Sequence, residues 1–120
     1  MAERFSEQIL RMAKSLDMRN AEDILLIDIR DTSVISDYFL ICTGKASNHV
    51  RLLSDELDSA MSKEGVRYSR IEGYSEGRWI VMDYGDVLVH IFHKEEREFY
   101  NIERLWKTDG NWVDYKPENR

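Results

Sequence analysis

The chain has 120 residues, a formal net charge of −6 and a composition that is 42% hydrophobic and 33% charged. That is enough for one domain with its own core and too apolar for a disordered segment. The negative balance speaks against direct nucleic-acid binding, where phosphate neutralisation supplies most of the affinity, and favours a basic protein partner.

A single cysteine, Cys42, rules out an internal disulfide and a cysteine-rich zinc site, and its place in an apolar run suits a buried thiol. No apolar stretch reaches the length of a membrane span. The first residues lack a signal-peptide apolar region and carry Glu3, Glu7 and Asp17, which points to a reducing, cytoplasmic setting without membrane attachment.

Phe5, Ile9, Met12, Ala13 and Leu16 recur at helical spacing, with Ser6 and Glu7 near the start and Asp17 to Asn20 at the end. The run Asp23 to Ile29 predicts a strand apolar enough to be covered on both faces. A turn at Asp31-Thr32-Ser33 leads to a second strand, Asp37 to Gly44. The following helix starts at Ser47, read as its N-cap, and carries Val50, Leu53, Leu57, Ala60 and Met61 on one side, with Gly65 beyond its end. Val66 to Ile71 alternates weakly and predicts an edge strand, and Glu72 to Gly77 a loop.

Trp79 to His93 predicts a β-hairpin around Asp83-Tyr84-Gly85-Asp86. With Tyr84 and Gly85 as the turn residues, Met82 pairs with Val87, Val81 with Leu88, Ile80 with Val89 and Trp79 with His90. Alternation then places Ile80, Met82, Val87, Val89 and Ile91 on a face turned to helices. The opposite face holds Trp79, Val81, Asp83, Asp86, Leu88, His90 and Phe92, a mixture of aromatics and acids that suits a protein interface, or a second layer over the aromatics.

Lys94 to Glu98 opens a last helix with Phe99, Ile102 and Trp106 on one face and Leu105 beside them. The expected organisation is a single domain over 1–107 and a polar tail over 108–120, in which Trp112, Val113 and Tyr115 are able to dock a short piece. The order α-β-β-α-β-β-β-α predicts an α/β (α+β) fold, a mixed sheet with helices mainly on one side.

No catalytic constellation is readable. His90 and His93 lie three apart on a strand and so point to opposite faces, which does not favour a shared metal ion. Gly44-Lys45-Ala46-Ser47 joins a strand to a helix, where backbone donors can hold a phosphate, but matches neither a P-loop nor a dinucleotide fingerprint. Asp28, Asp83 and Asp86 are the candidates for Mg²⁺ should they converge. No cofactor is expected.

With these residues in view, the chain resembles the Iojap family, the ribosomal silencing factors (RsfS), over Ile24 to Trp106. The resemblance is carried by Ile35-Ser36-Asp37-Tyr38-Phe39, Thr43-Gly44, Glu72-Gly73, Gly77-Arg78-Trp79, Asp83-Tyr84-Gly85-Asp86-Val87 and Val89-His90-Ile91-Phe92. It continues through Arg97, Phe99-Tyr100, Glu103 and Leu105-Trp106. Where many relatives carry an Arg-Gln pair, this chain has Asn48-His49.

The resemblance implies a nucleotidyltransferase-like fold without enzymatic activity. It also implies binding to ribosomal protein L-fourteen on the large subunit, a block on small-subunit joining when nutrients are short, a part in large-subunit maturation, and frequent homodimers. Carried over, the anchor set is Trp79, Asp83, Tyr84 and Asp86, to which the hairpin register adds Val81 and Leu88. An active nucleotidyltransferase would need a Gly-Ser turn and paired strand carboxylates. Gly44 and Ser47 are not adjacent, and the strand positions are apolar. An interaction module using the same hairpin face for a different partner is the remaining alternative.

Overall fold

The computed structural model describes residues 4–117, so 1–3 of the expected domain and 118–120 of the expected tail lie outside the described residues. The elements are α1 (Glu7–Asp17), β1 (Glu22–Asp28), β2 (Tyr38–Gly44), α2 (Ser47–Ser62), β3 (Arg70–Glu72), β4 (Trp79–Asp83), β5 (Val87–His93), α3 (Lys94–Tyr100), α4 (Glu103–Trp106) and β6 (Trp112–Asp114). The strands form one mixed sheet in the order β3-β4-β5-β2-β1-β6. Among the described residues only β2 and β5 run parallel, joined through the α2 crossover and the β3–β4 excursion.

Helices α1 and α2 cover one face. Ile9, Met12 and Leu16 from α1 and Val50, Leu53, Leu57 and Met61 from α2 are buried against Leu26, Leu40, Ile80, Met82, Val89 and Ile91 of the sheet. Ser6 caps α1, its hydroxyl accepting from the Ile9 N–H at 3.3 Å. The opposite face has a smaller cluster of Leu25, Ile27, Ile29, Phe39, Ile41 and Phe92, over which Ile102, Trp106 and Trp112 pack. The interior strands, β1 from Ile24 on and all of β2, are therefore buried on both sides, as the apolar run of β1 predicts.

Four expectations change. Ala46, not Ser47, is the N-cap of α2 and makes no side-chain capping bond; Ser47 is already helical. The strand read over Val66 to Ile71 shrinks to Arg70–Glu72, because only Arg70, Ile71 and Glu72 pair with β4; Val66 and Tyr68 still pack against the core. The final helix breaks at Asn101, whose φ of 44° is left-handed, so its two halves become α3 and α4. The stretch from Thr108 on is not a free tail. Trp112–Asp114 pairs antiparallel with β1 as the edge strand β6.

The hairpin register also differs. Asp83 faces Leu88, Met82 faces Val89, Val81 faces His90, Ile80 faces Ile91 and Trp79 faces Phe92. The turn residues are Gly85 and Asp86. Gly85 has φ +85°, the Asp83 carboxylate accepts its N–H at 2.8 Å, and the Tyr84 N–H bonds the Val87 carbonyl at 3.0 Å. The Asp86 carbonyl accepts both the Asp37 and Tyr38 N–H groups at 3.0 Å, which ties the turn to the start of β2. The pairing moved by two residues, so each side chain stayed on its expected face.

Candidate protein-binding face

The hairpin face away from α1 and α2 is only partly covered. Helix α3 packs over β5 and β2, and Trp106 meets Phe39 edge-on at 5.1 Å. Towards β4 the cover thins: Trp79, Val81, Asp83 and Leu88 are half-buried and Asp86 is exposed. Beyond them, Arg70 and Glu72 of β3 form an exposed ion pair of 2.6 Å opposite Asp83 and Val81.

Trp79 is held on three sides. Its ring stacks on Phe92 at 4.8 Å, lies 4.8 Å from the Tyr100 ring, and donates its indole N–H to Nδ1 of His90 at 3.1 Å. Burial pushes the His90 pKa down to about 4, so the imidazole is neutral near pH 7. Its other nitrogen, Nε2, is buried with no hydrogen-bond partner.

The predicted anchor residues divide. Trp79, Val81, Asp83 and Leu88 share one face, with Asp86 at its turn end. Tyr84 does not join them. It belongs to the face covered by α1 and α2, where it is buried and meets Tyr68 edge-on at 6.2 Å. Its hydroxyl has no hydrogen-bond partner, and burial raises its pKa. An aromatic beside a turn glycine reads as a turn residue in one dimension; here it completes the core alternation Ile80, Met82, Tyr84. Its aromatic surface is not available to a partner in this conformation.

The remaining chemical candidates are also placed. Asp28 is buried, with Arg30 bonding both its oxygens at 3.0 and 2.7 Å and Arg4 adding a bond at 3.0 Å. Those cations hold its carboxyl down at about 2. Asp28, Asp83 and Asp86 form no metal-ligand group. Among the described residues the one such cluster is His93, Glu95 and Glu96, where Arg78 already binds both glutamates at 2.6 and 2.8 Å. Cys42 is buried and its thiol pKa pushed up to about 12, which leaves it unreactive. His49 is tied internally, Nδ1 accepting the Lys45 N–H at 2.9 Å and Nε2 lying 2.8 Å from the Arg19 carbonyl. No described helix is long and apolar enough to cross a membrane.

Large exposed side chains on the last helical segment went unread in the sequence. Phe99, Tyr100 and Leu105 are exposed, and of these the Tyr100 ring lies against Trp79 at 4.8 Å. The helical pattern places Phe99 on one face with Ile102 and Trp106; in the structure Ile102 and Trp106 pack over the sheet while Phe99, before the break at Asn101, is exposed.

A family model described as "Ribosomal silencing factor during starvation" matches residues 2–120. The chain is 42% identical over 101 residues to the ribosomal silencing factor RsfS of Bacillus subtilis, covering 83% of this chain and 86% of that one. It is 31% identical over 94 residues to the mouse protein named "Mitochondrial assembly of ribosomal large subunit protein 1", covering 76% of this chain and 41% of the mouse chain. A crystal structure of a Bacillus halodurans protein superposes with a TM-score of 0.78 at 35% identity, over 92% of this chain and 100% of the other.

Proposed function

The chain belongs to the family of ribosomal silencing factors, and from that premise we propose that it binds the large ribosomal subunit through ribosomal protein L-fourteen and keeps the small subunit from joining. The action is steric. No bond is made or broken, and the bound domain occupies space that the small subunit needs.

The observation that carries this reading is the half-covered hairpin face. Val81 and Leu88 supply an apolar centre, Trp79 an aromatic anchor already fixed by Phe92 and His90, and Asp83 and Asp86 an acidic edge. Aromatic anchors with charge at the rim are a common interface composition. On a domain of net charge −6, that edge favours a basic partner and speeds its capture. A role in large-subunit maturation is the second reading, favoured by the name of the mouse relative. It uses the same face and the same subunit. A homodimer through this face would compete with either.

The test is co-sedimentation with isolated large and small subunits, then with both under associating conditions. The expected result is binding to the large subunit alone and loss of the joined particle. Asp86→Lys, at an exposed turn position, should weaken binding without unfolding the domain, and Trp79→Ala, with its melting temperature measured beside its binding because it also loses the Phe92 stacking and the His90 bond, should weaken it further. Tyr84→Ala is not a fair probe, since it opens a core cavity. Wild-type co-sedimentation of both fair variants would remove the hairpin face from the interface.

A further inference from the structure

Helix α2 starts at a residue that cannot cap it. Ala46 is the N-cap and makes no side-chain bond. The acceptor comes instead from inside the first turn, where Nδ1 of His49 accepts the Lys45 N–H at 2.9 Å. At the other edge of the ring, Nε2 lies 2.8 Å from the carbonyl of Arg19, in the turn that closes α1. The left-handed Asn20, with φ 67°, ends that turn. One imidazole thus serves a donor at the start of one helix and a carbonyl at the end of another.

These two partners allow the neutral ring a single form. A peptide N–H only donates, so Nδ1 is bare; a carbonyl only accepts, so Nε2 carries the proton. A second proton sets an N–H at Nδ1 against the N–H of Lys45. The bond to Lys45 is then lost, and the bond to Arg19 is kept. Imidazole is the side chain whose ordinary titration falls between pH 5 and 8. The charged groups on the elements that meet here are Asp17 and Arg19 at the α1 end, Glu22 of β1, Lys45 of the turn, and Arg51 and Glu56 of α2. Arg19 pairs with Glu56 at 2.7 Å and Lys45 with Glu22 at 3.7 Å, while Arg51 donates to the Ser75 carbonyl at 3.0 Å.

The two ends of this link also border a cavity of about 790 Å³. Asn20 and Ala21, next to Arg19, line it, and so does Lys45. We infer that His49 is a proton-sensitive staple between α1 and α2. Its neutral form closes the α2 N-terminus onto the α1 turn; its protonated form releases Lys45 and with it one border of the cavity.

The test is NMR of the full chain between pH 5 and 8. Imidazole nitrogen shifts read the tautomer and protonation of His49, and amide exchange, corrected for the intrinsic rate at each pH, reads the Lys45 N–H. The expected result is the Nε2–H tautomer at pH 8, and Lys45 protection about tenfold lower once the ring is protonated, as loss of a capping bond implies. The Leu57 N–H, in the middle of α2, should show no step at that midpoint. His49→Gln offers an acceptor and a donor but does not titrate, so its Lys45 protection should stay level. An Nδ1–H tautomer, Lys45 protection that ignores the His49 titration, or an unchanged pH dependence in the Gln variant overturns the inference. The first two outcomes are read on the wild type alone, so the test does not depend on the variant folding.

Discussion

Trp79 and His90 are diagonal neighbours in the hairpin, and the indole N–H of one bonds Nδ1 of the other at 3.1 Å. The bond requires an unprotonated Nδ1, which places the imidazole proton on the buried, unpartnered Nε2. The folded state thus binds the neutral form, with a pKa lowered from 6.5 to about 4. Between those values the unfolded chain takes up a proton that the folded chain refuses. The stability contribution is therefore complete above pH 6.5 and declines as the pH falls towards 4, by up to about 3 kcal/mol. Replacing His90 with Leu should flatten that limb in thermal melts at pH 4.5 to 7.5. An unchanged slope would show that His90 is not its source.

Asp28 titrates lower. Its carboxyl is held at about 2 against an ordinary 3.8, first by its bonds to Arg30, then with help from Arg4. A lowered carboxyl pKa stabilises the fold above the unfolded value, and the gain is lost as pH drops from about 4 to about 2. Asp28→Asn should cost about 2 kcal/mol at pH 7 in urea unfolding, and the gap to wild type should narrow by pH 2.5. With both oxygens taken by guanidinium groups, addition of Mg²⁺ should not change wild-type stability through this residue.

The parts of the fold legible in the sequence were those set by period. Ile9, Met12 and Leu16 give the α1 stripe, and the runs in β1 and β2 give buried strands. The hairpin's faces were legible although its register was not, because a shift of two residues leaves alternation intact. Choosing between Tyr84-Gly85 and Gly85-Asp86 as turn residues depends on the Asp86 carbonyl meeting β2, a contact forty-odd residues away in sequence. For the candidate site, alternation put Trp79, Val81, Asp83 and Leu88 on one face, but only Val81 and Leu88 were singled out by it; Trp79 and Asp83 came from the family resemblance. The exposure of Phe99 and Leu105 was not legible, since the left-handed Asn101 between α3 and α4 interrupts an otherwise acceptable helical pattern.

Gly73 and Gly85 share a φ of +85° but differ in surroundings. An added Cβ at Gly85 meets nothing within 4 Å, whereas at Gly73 it falls 2.0 Å from the Trp79 carbonyl oxygen. Gly85→Ala should therefore cost only the backbone strain, about 1–2 kcal/mol. Gly73→Ala should cost clearly more, because it must also displace the start of β4 and with it Trp79. Thermal melts of the two variants side by side check this; equal losses would mean that the loop yields freely and does not position Trp79.

The strand β6 gives the most direct test of where the domain ends. Asn111 is buried and organises the approach to it: Nδ2 donates to the Asp28 carbonyl at 3.1 Å and the Trp106 carbonyl at 3.0 Å, while Oδ1 accepts the Thr108 N–H at 2.7 Å. The strand then pairs Trp112 with Ile27, Val113 with Leu26 and Asp114 with Leu25. Asn111→Ala leaves these buried groups without their partner and should cost about 1–3 kcal/mol. Truncation after Lys107 should do more. It removes Trp112 from one face and Val113 and Tyr115 from the other, and bares the apolar β1 as a sheet edge open to strand pairing with another chain. The expected outcome is a lower melting temperature and concentration-dependent aggregation in light scattering. A truncated chain that melts like the full one and stays dispersed would restore the boundary at 107.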